Sequence, residues 1–250
     1  MATAKTSKPK SYHVRESSRA KHVSIKVSHL GEVEIVIPWG FDQRQIPDII
    51  KKRQDWIAKT IQRIEAERQS VSSLDSPIEP LLPEKLMLQS LSEKWQIQYE
   101  PSSGSSVTVA KRSTQRLVLR GAVHHPQLCQ RALSQWLKCK AEVHLVPWLH
   151  QVSQEIALPF EQVTVRGQKT LWASCSAKTN ISLNYKLLFL PPELVRYVFI
   201  HELCHTIHLN HSRRFWALVA EKEPRYKQLD AELNKGWIYI PAWLERSSNA

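Results

Sequence analysis

Residues 201–205 read His-Glu-Leu-Cys-His. They close the stretch Leu194-Val195-Arg196-Tyr197-Val198-Phe199-Ile200, which is apolar on nearly every helical face. A helix that is apolar all round belongs in a core. Placing His201, Glu202 and His205 there is costly unless all three groups are satisfied. Histidines four apart on a helix sit about 40° apart around the axis and about 6 Å apart along it, so both imidazoles reach one ion. Glu202 lies one step round. It does not share the metal face but reaches a water on that metal, the general-base position of an HExxH hydrolase. The plain alternative is a pair of hydrogen-bonded core histidines.

An open catalytic site takes a third protein ligand. His211 follows His205 by six residues, enough for the chain to leave the helix, turn and return to the ion. His208 and Asn210 both tolerate the left-handed backbone that such a turn uses. His208 itself lies a turn too far along the axis to share the ion. Glu221 and Glu223 compete with His211 as carboxylate ligands from a later helix. No cysteine pair has structural-zinc spacing, so Cys129, Cys139, Cys175 and Cys204 read as reduced thiols.

The chain's 250 residues, 42% hydrophobic and 23% charged, suit one sizeable core or two small ones and exclude a disordered protein. The richest apolar run is broken by Pro191, Pro192, Glu193 and Arg196, which leaves no membrane helix. The first 21 residues have no apolar core of the kind a secretory signal needs, so the expected location is cytoplasmic. Lys and Arg number 35 against 23 Asp and Glu, a net charge of +12. That balance suits an anionic partner such as nucleic acid or a nucleotide; a basic solubilising surface is the plain alternative.

Residues 1–20 read as a basic flexible tail, and 21–70 as a hairpin plus helix. The hairpin alternates over 22–27 and 33–37 around a turn at His29-Leu30-Gly31-Glu32. In the helix Ile46, Ile49, Ile50, Arg53, Trp56, Ile57, Ile61 and Ile64 mark one face, read as core. Trp39, Trp95, Trp136 and Trp148 are likewise expected in cores. Residues 71–84, rich in Ser and Pro, read as a linker. Residues 85–250 then form one domain, with strands at 85–91, 95–100, 107–111, 116–120, 162–166, 171–176 and 181–189. Its helices fall at 126–156, where Pro147 predicts a kink, near 192–208, and at 214–222 and 226–234.

The motifs Leu171-Trp172-Ala173-Ser174-Cys175-Ser176, Asn180-Ile181-Ser182-Leu183-Asn184, Val198 to His205 and Asn210-His211-Ser212-Arg213-Arg214-Phe215-Trp216 together resemble the YgjP-like metallopeptidase domain, a relative of SprT-like zinc proteases. The resemblance extends to the stretches 19–27 and 36–41 and to Arg53-Gln54-Asp55-Trp56-Ile57. It implies an α+β fold with a zincin-like core, a small sheet packed on the HExxH helix. It implies His201, His205 and His211 as Zn2+ ligands and Glu202 as the catalytic base. Leu171 and Ala173 stand where the family usually has Arg and Gly.

The expected activity is zinc-dependent peptide hydrolysis by a water that Glu202 activates. Tyr185, Tyr197 and Lys186 are candidate transition-state or substrate contacts. Arg166, Lys169, Lys178, Lys186, Arg213 and Arg214 flank the motifs and can line a basic cleft mouth. The expected partner is a protein or peptide substrate, with nucleic acid or nucleotide as a further partner of the basic surface. Two other functions compete: a metal-dependent UTP-type pyrophosphohydrolase, an activity ascribed to some YgjP-like proteins, and a nucleic-acid-associated protein with a structural metal.

Overall fold

Alternation over Val33-Glu34-Ile35-Val36-Ile37 places Val33, Ile35 and Ile37 on one face of a strand, and that face is the core of the first of two units in the computed structural model. The structure describes residues 12–28, 30–71, 81–168 and 170–246. It divides into residues 1–76 and 77–250. In the first unit, β3 (Val33–Pro38) is the central strand. β2 (Ser24–Val27) pairs with it antiparallel, Ile25 facing Ile35. β1 (Tyr12–Ser17) pairs with it parallel, Val14 facing Ile35. The part of the expected tail that is described is therefore a strand. Val14 packs on the core and Arg15 pairs with Glu34 at 2.8 Å. Residues 1–11 of that tail, the turn residue His29 and residues 72–80 of the expected linker lie outside the described residues.

Helix α1 (Ile46–Val71) packs Ile46, Ile50 and Ile57 on Val33, Ile35 and Ile37. This spacing is the core stripe. The stripe is narrower than the sequence reading, because Trp56 points outward at 46% exposure. Trp39 is also exposed, at the end of β3, where Gly40 turns the chain with φ +74°.

The second unit holds the larger core. A four-stranded sheet runs in the order β4-β5-β7-β6, from β4 (Lys85–Leu88), β5 (Glu93–Pro101), β6 (Val107–Ser113) and β7 (Arg116–Gly121). Helix α2 (Pro126–Ile156) buries Cys129, Leu133, Leu137, Ala141, Leu145, Leu149, Val152 and Ile156. That near-perfect spacing of four is the i±4 row of a helix, and α2 continues as one helix through Pro147, the position of the expected kink. A second sheet follows in the order β8-β10-β9, from β8 (Val163–Arg166), β9 (Ala173–Cys175) and β10 (Ile181–Asn184). β10 is shorter than the expected strand. The Asn184 side chain accepts from the Lys186 backbone N–H and starts a 3-10 turn, Tyr185–Phe189.

Helix α3 (Pro192–Cys204) is buried on almost every face, and α2, β9, α4 (Arg213–Lys222) and α5 (Tyr226–Leu233) pack around it. Trp148 of α2 meets Phe199 edge-on at 5.3 Å. A short helix α6 (Ala242–Arg246) closes the described chain. Small sheets and several helices in a mixed α+β arrangement thus surround the helix that carries the motif. Among the described residues no helix is long and apolar enough to cross a membrane.

Candidate metal centre

Helix α3 stops at Cys204, a turn short of the expected 208, and His205 is its C-terminal cap. Two local bonds stop it. The Thr206 hydroxyl donates to the Leu203 carbonyl at 2.7 Å, and His205 Nδ1 lies 2.9 Å from the His208 carbonyl oxygen. The chain then turns back. Ser212 N–H bonds Asn210 O at 2.8 Å, and the Ser212 hydroxyl caps α4 by accepting from Phe215 N–H. His211, between them, is carried back towards the last turn of α3.

This brings His201, His205 and His211 together, with ligand atoms all within 4.8 Å of one another. Tetrahedral bonds of 2.0–2.1 Å put ligand nitrogens about 3.3 Å apart. His201 Nε2 and His211 Nε2 are 3.0 Å apart. Two imidazole lone pairs face each other at that distance only with a proton or a cation between them. The carbonyl of His208 can accept only from an N–H, so it sets His205 as the Nδ1-protonated tautomer and leaves Nε2 as a free ligand. The donor set therefore fits one divalent cation. Burial first, then His205 and His211, push the His201 imidazole down to about 3. Burial also lowers His205, against the bond to His208. The neutral form, the one that binds metal, is the favoured one.

Phe215 is the floor of this cluster. Its ring is fully buried and stacks on His205 at 4.4 Å, with His201 at 5.0 Å and His211 at 4.8 Å. Trp216 stacks on His211 at 5.6 Å, and Tyr226 stacks on Trp216 at 5.6 Å. The Tyr197 ring meets His201 edge-on at 6.1 Å.

Glu202 is 7% exposed. Burial raises its carboxyl to about 7, opposed by a hydrogen bond from the Cys175 backbone N–H. The bond ties the carboxylate, which belongs to the residue after His201, to β9. Burial followed by the Glu202 charge raises the Cys175 thiol to about 11, and burial raises Cys204 to about 12, so both stay protonated at neutral pH.

The competing carboxylates lie elsewhere. Glu221 pairs with Lys222 at 3.0 Å, and Glu223 accepts from Arg225 N–H at 3.1 Å. The three expected substrate contacts require correction, since each is turned into the core. Lys186 is 0% exposed and its Nζ meets Glu245 at 2.5 Å. Tyr197 is fully buried and donates its hydroxyl to Asp230 at 3.0 Å. Tyr185 is buried, bonded to Ser134 and packed over Gly167, where a Cβ would meet its ring at 2.7 Å. Of the expected basic mouth, Arg166, Lys178, Arg213 and Arg214 are exposed, while Lys169 lies outside the described residues.

Asn184 had no expected role. It is fully buried and donates to the carbonyls of Gln168 and Leu171, holding the loop before β9. Trp172 stacks on Trp237 at 4.0 Å. Ala173 accommodates its methyl in the core, and Leu171 is half exposed. Phe215 and Asn184 lie inside the motifs that carry the family resemblance, and that membership is the one signal the sequence held for them. Asp230 gave none, because its partner Tyr197 is 33 residues away.

A family model described as YgjP-like, metallopeptidase domain, matches residues 21–236. No curated protein and no solved structure matches the chain.

Proposed function

This chain belongs to the YgjP-like metallopeptidase family, and from that membership we propose a zinc-dependent peptidase with His201, His205 and His211 as ligands and Glu202 as catalytic base. The carrying observation is the convergence of three imidazoles on one point, with Glu202 following His201 in α3 and its buried carboxylate held by the Cys175 N–H. Imidazole-only ligation favours zinc among common divalent ions. We read the sheet β8-β10-β9 on α3 as a zincin-like core.

A cation held there supplies a Lewis acid that polarises a peptide carbonyl and acidifies water. Glu202 takes a proton from the attacking water and passes it to the departing amine, so one water is consumed and an acid and an amine are released. The Cys175 N–H holds the Glu202 carboxylate in place for both transfers. β9 is the outer strand of its sheet, and an extended substrate pairs along that edge.

A polypeptide suits the surroundings better than a nucleotide. Ile207 and Leu209, in the loop between His205 and His211, are more than half exposed, as is Leu171 before β9. Exposed apolar side chains in the loop that joins two of the histidines favour an apolar ligand. Arg213 and Arg214 open α4 next to His211 and provide a rim for nucleic acid, which salt-sensitive binding to single-stranded DNA tests. We place the protein in the cytoplasm.

The test measures metal content and cleavage of an unfolded protein, with nucleoside triphosphates in parallel. Glu202→Gln keeps zinc and loses about 10²- to 10⁴-fold in turnover. His201→Ala loses both. Undiminished cleavage by Glu202→Gln overturns the assignment.

A further inference from the structure

Two rings continue in a row from the triad's His211. His211, Trp216 and Tyr226 stack in sequence, with interplanar angles of 28° and 24°. The last two line a shallow, open depression of about 330 Å³ together with Lys227 and Asp230. Trp216 thus belongs to both places: it lies against the metal triad, with the His201 ring at 5.8 Å, and it lines the cavity together with Tyr226. α5 cannot drift away from α3, because Asp230 holds the Tyr197 hydroxyl.

We propose that this cavity is the specificity pocket of the peptidase, taking an aromatic side chain one or two residues from the bond that is cut. The proposal rests on the metallopeptidase reading above. The distance suits it: the pocket is one indole away from the triad, and neighbouring residues of an extended chain are about 3.8 Å apart. The walls suit it. An aromatic ring packs edge-on against the exposed edges of both the Trp216 and Tyr226 rings, whereas a methyl leaves both bare. The charges suit it too. Lys227 and Asp230 are of opposite sign, so the pocket does not select an anion.

The experiment uses the zinc-loaded full chain and a set of quenched fluorescent peptides. These differ only in carrying Phe, Leu, Ala or Asp at each of two positions on either side of the scissile bond. At one position, kcat/KM for Phe exceeds that for Ala by about 10- to 100-fold. Tyr226→Ala brings this ratio down towards one. In parallel, the Phe and Ala peptides are titrated calorimetrically into Glu202→Gln, and the Phe peptide binds more tightly by a similar factor, a difference that Tyr226→Ala removes. Cleavage with equal rates for Phe and Ala overturns the pocket and leaves the peptidase standing. An absence of cleavage overturns the peptidase, and the calorimetry still decides the pocket. Binding of uridine triphosphate that weakens in Tyr226→Ala, with no peptide preference, overturns both.

Discussion

Lys186 stands where a substrate-binding cation was expected, yet the structure makes it one half of a buried ion pair. Its Nζ meets Glu245 at 2.5 Å and lies 5.4 Å from the centre of the Trp237 ring. Both side chains are almost wholly out of water. Removing Lys186 takes this cation away from a buried carboxylate, a loss of about 3–5 kcal/mol. A domain with about 5–15 kcal/mol of stability loses a large share of it. With a urea slope of about 2 kcal/mol per molar, Lys186→Met lowers the unfolding midpoint by about 2 M. Replacing both members with apolar residues, Lys186→Met with Glu245→Leu, removes the two desolvation costs together and brings the midpoint back to within about 0.5 M. Urea unfolding followed by circular dichroism reads the shift, and peptide cleavage at low urea reads function. The double variant retains cleavage. A single variant that stays within about 0.3 M of wild type while losing cleavage refutes the reasoning and returns Lys186 to the substrate.

Glu93 accepts from Trp95 Nε1 at 2.7 Å and pairs with Lys140 at 2.9 Å; burial raises its carboxyl, but these bonds outweigh it and hold the group below the usual carboxylate range. A depressed native pKa means that the unfolded chain takes up the proton first as pH falls, so the contribution is complete above about pH 4.5 and lost below it. Glu93→Gln therefore costs about 1–2 kcal/mol at pH 7 and much less at pH 3, read as urea midpoints at both; an equal cost at both removes the carboxylate from the account. Gly121 has φ +129°, and a Cβ there would lie 2.0 Å from the Ser106 carbonyl oxygen. Gly121→Ala accordingly destabilises by about 1–3 kcal/mol or more, and a thermal midpoint equal to wild type contradicts the geometry. Stripping the metal with a chelator lowers the thermal midpoint, and zinc added at about 100 times its Kd restores about 2.7 kcal/mol; an unchanged midpoint argues against a cation at the triad.

Local patterns carried a large part of the architecture. The 2-residue alternation of β3 was legible because it records a buried face, and the extent of α2 was legible although its buried row of every fourth residue emerged only in the structure. Trp56 and Trp39 were not. Side-chain type says how much surface there is to bury, not whether a neighbour is present to cover it, and both indoles face outward. β1 was missed for a related reason: its six residues are mostly exposed, and its place depends on the parallel edge of β3, 21 residues further on.

At the centre, composition and spacing were enough to select His201, Glu202 and His205, since helical geometry over five residues leaves no freedom in how they face. His211 required a turn whose closure depends on His208, Asn210 and Ser212 acting together, and the pattern could rank it against Glu221 and Glu223 without ending the competition. The remaining assignments belong to long-range packing. A lysine or tyrosine near a motif can point to solvent or to the core, and Lys186, Tyr185 and Tyr197 went inward because Glu245, Ser134 and Asp230 came from distant segments to meet them. Partners separated by 33 to 59 residues are chosen by how whole elements dock, and no window of local sequence contains that information.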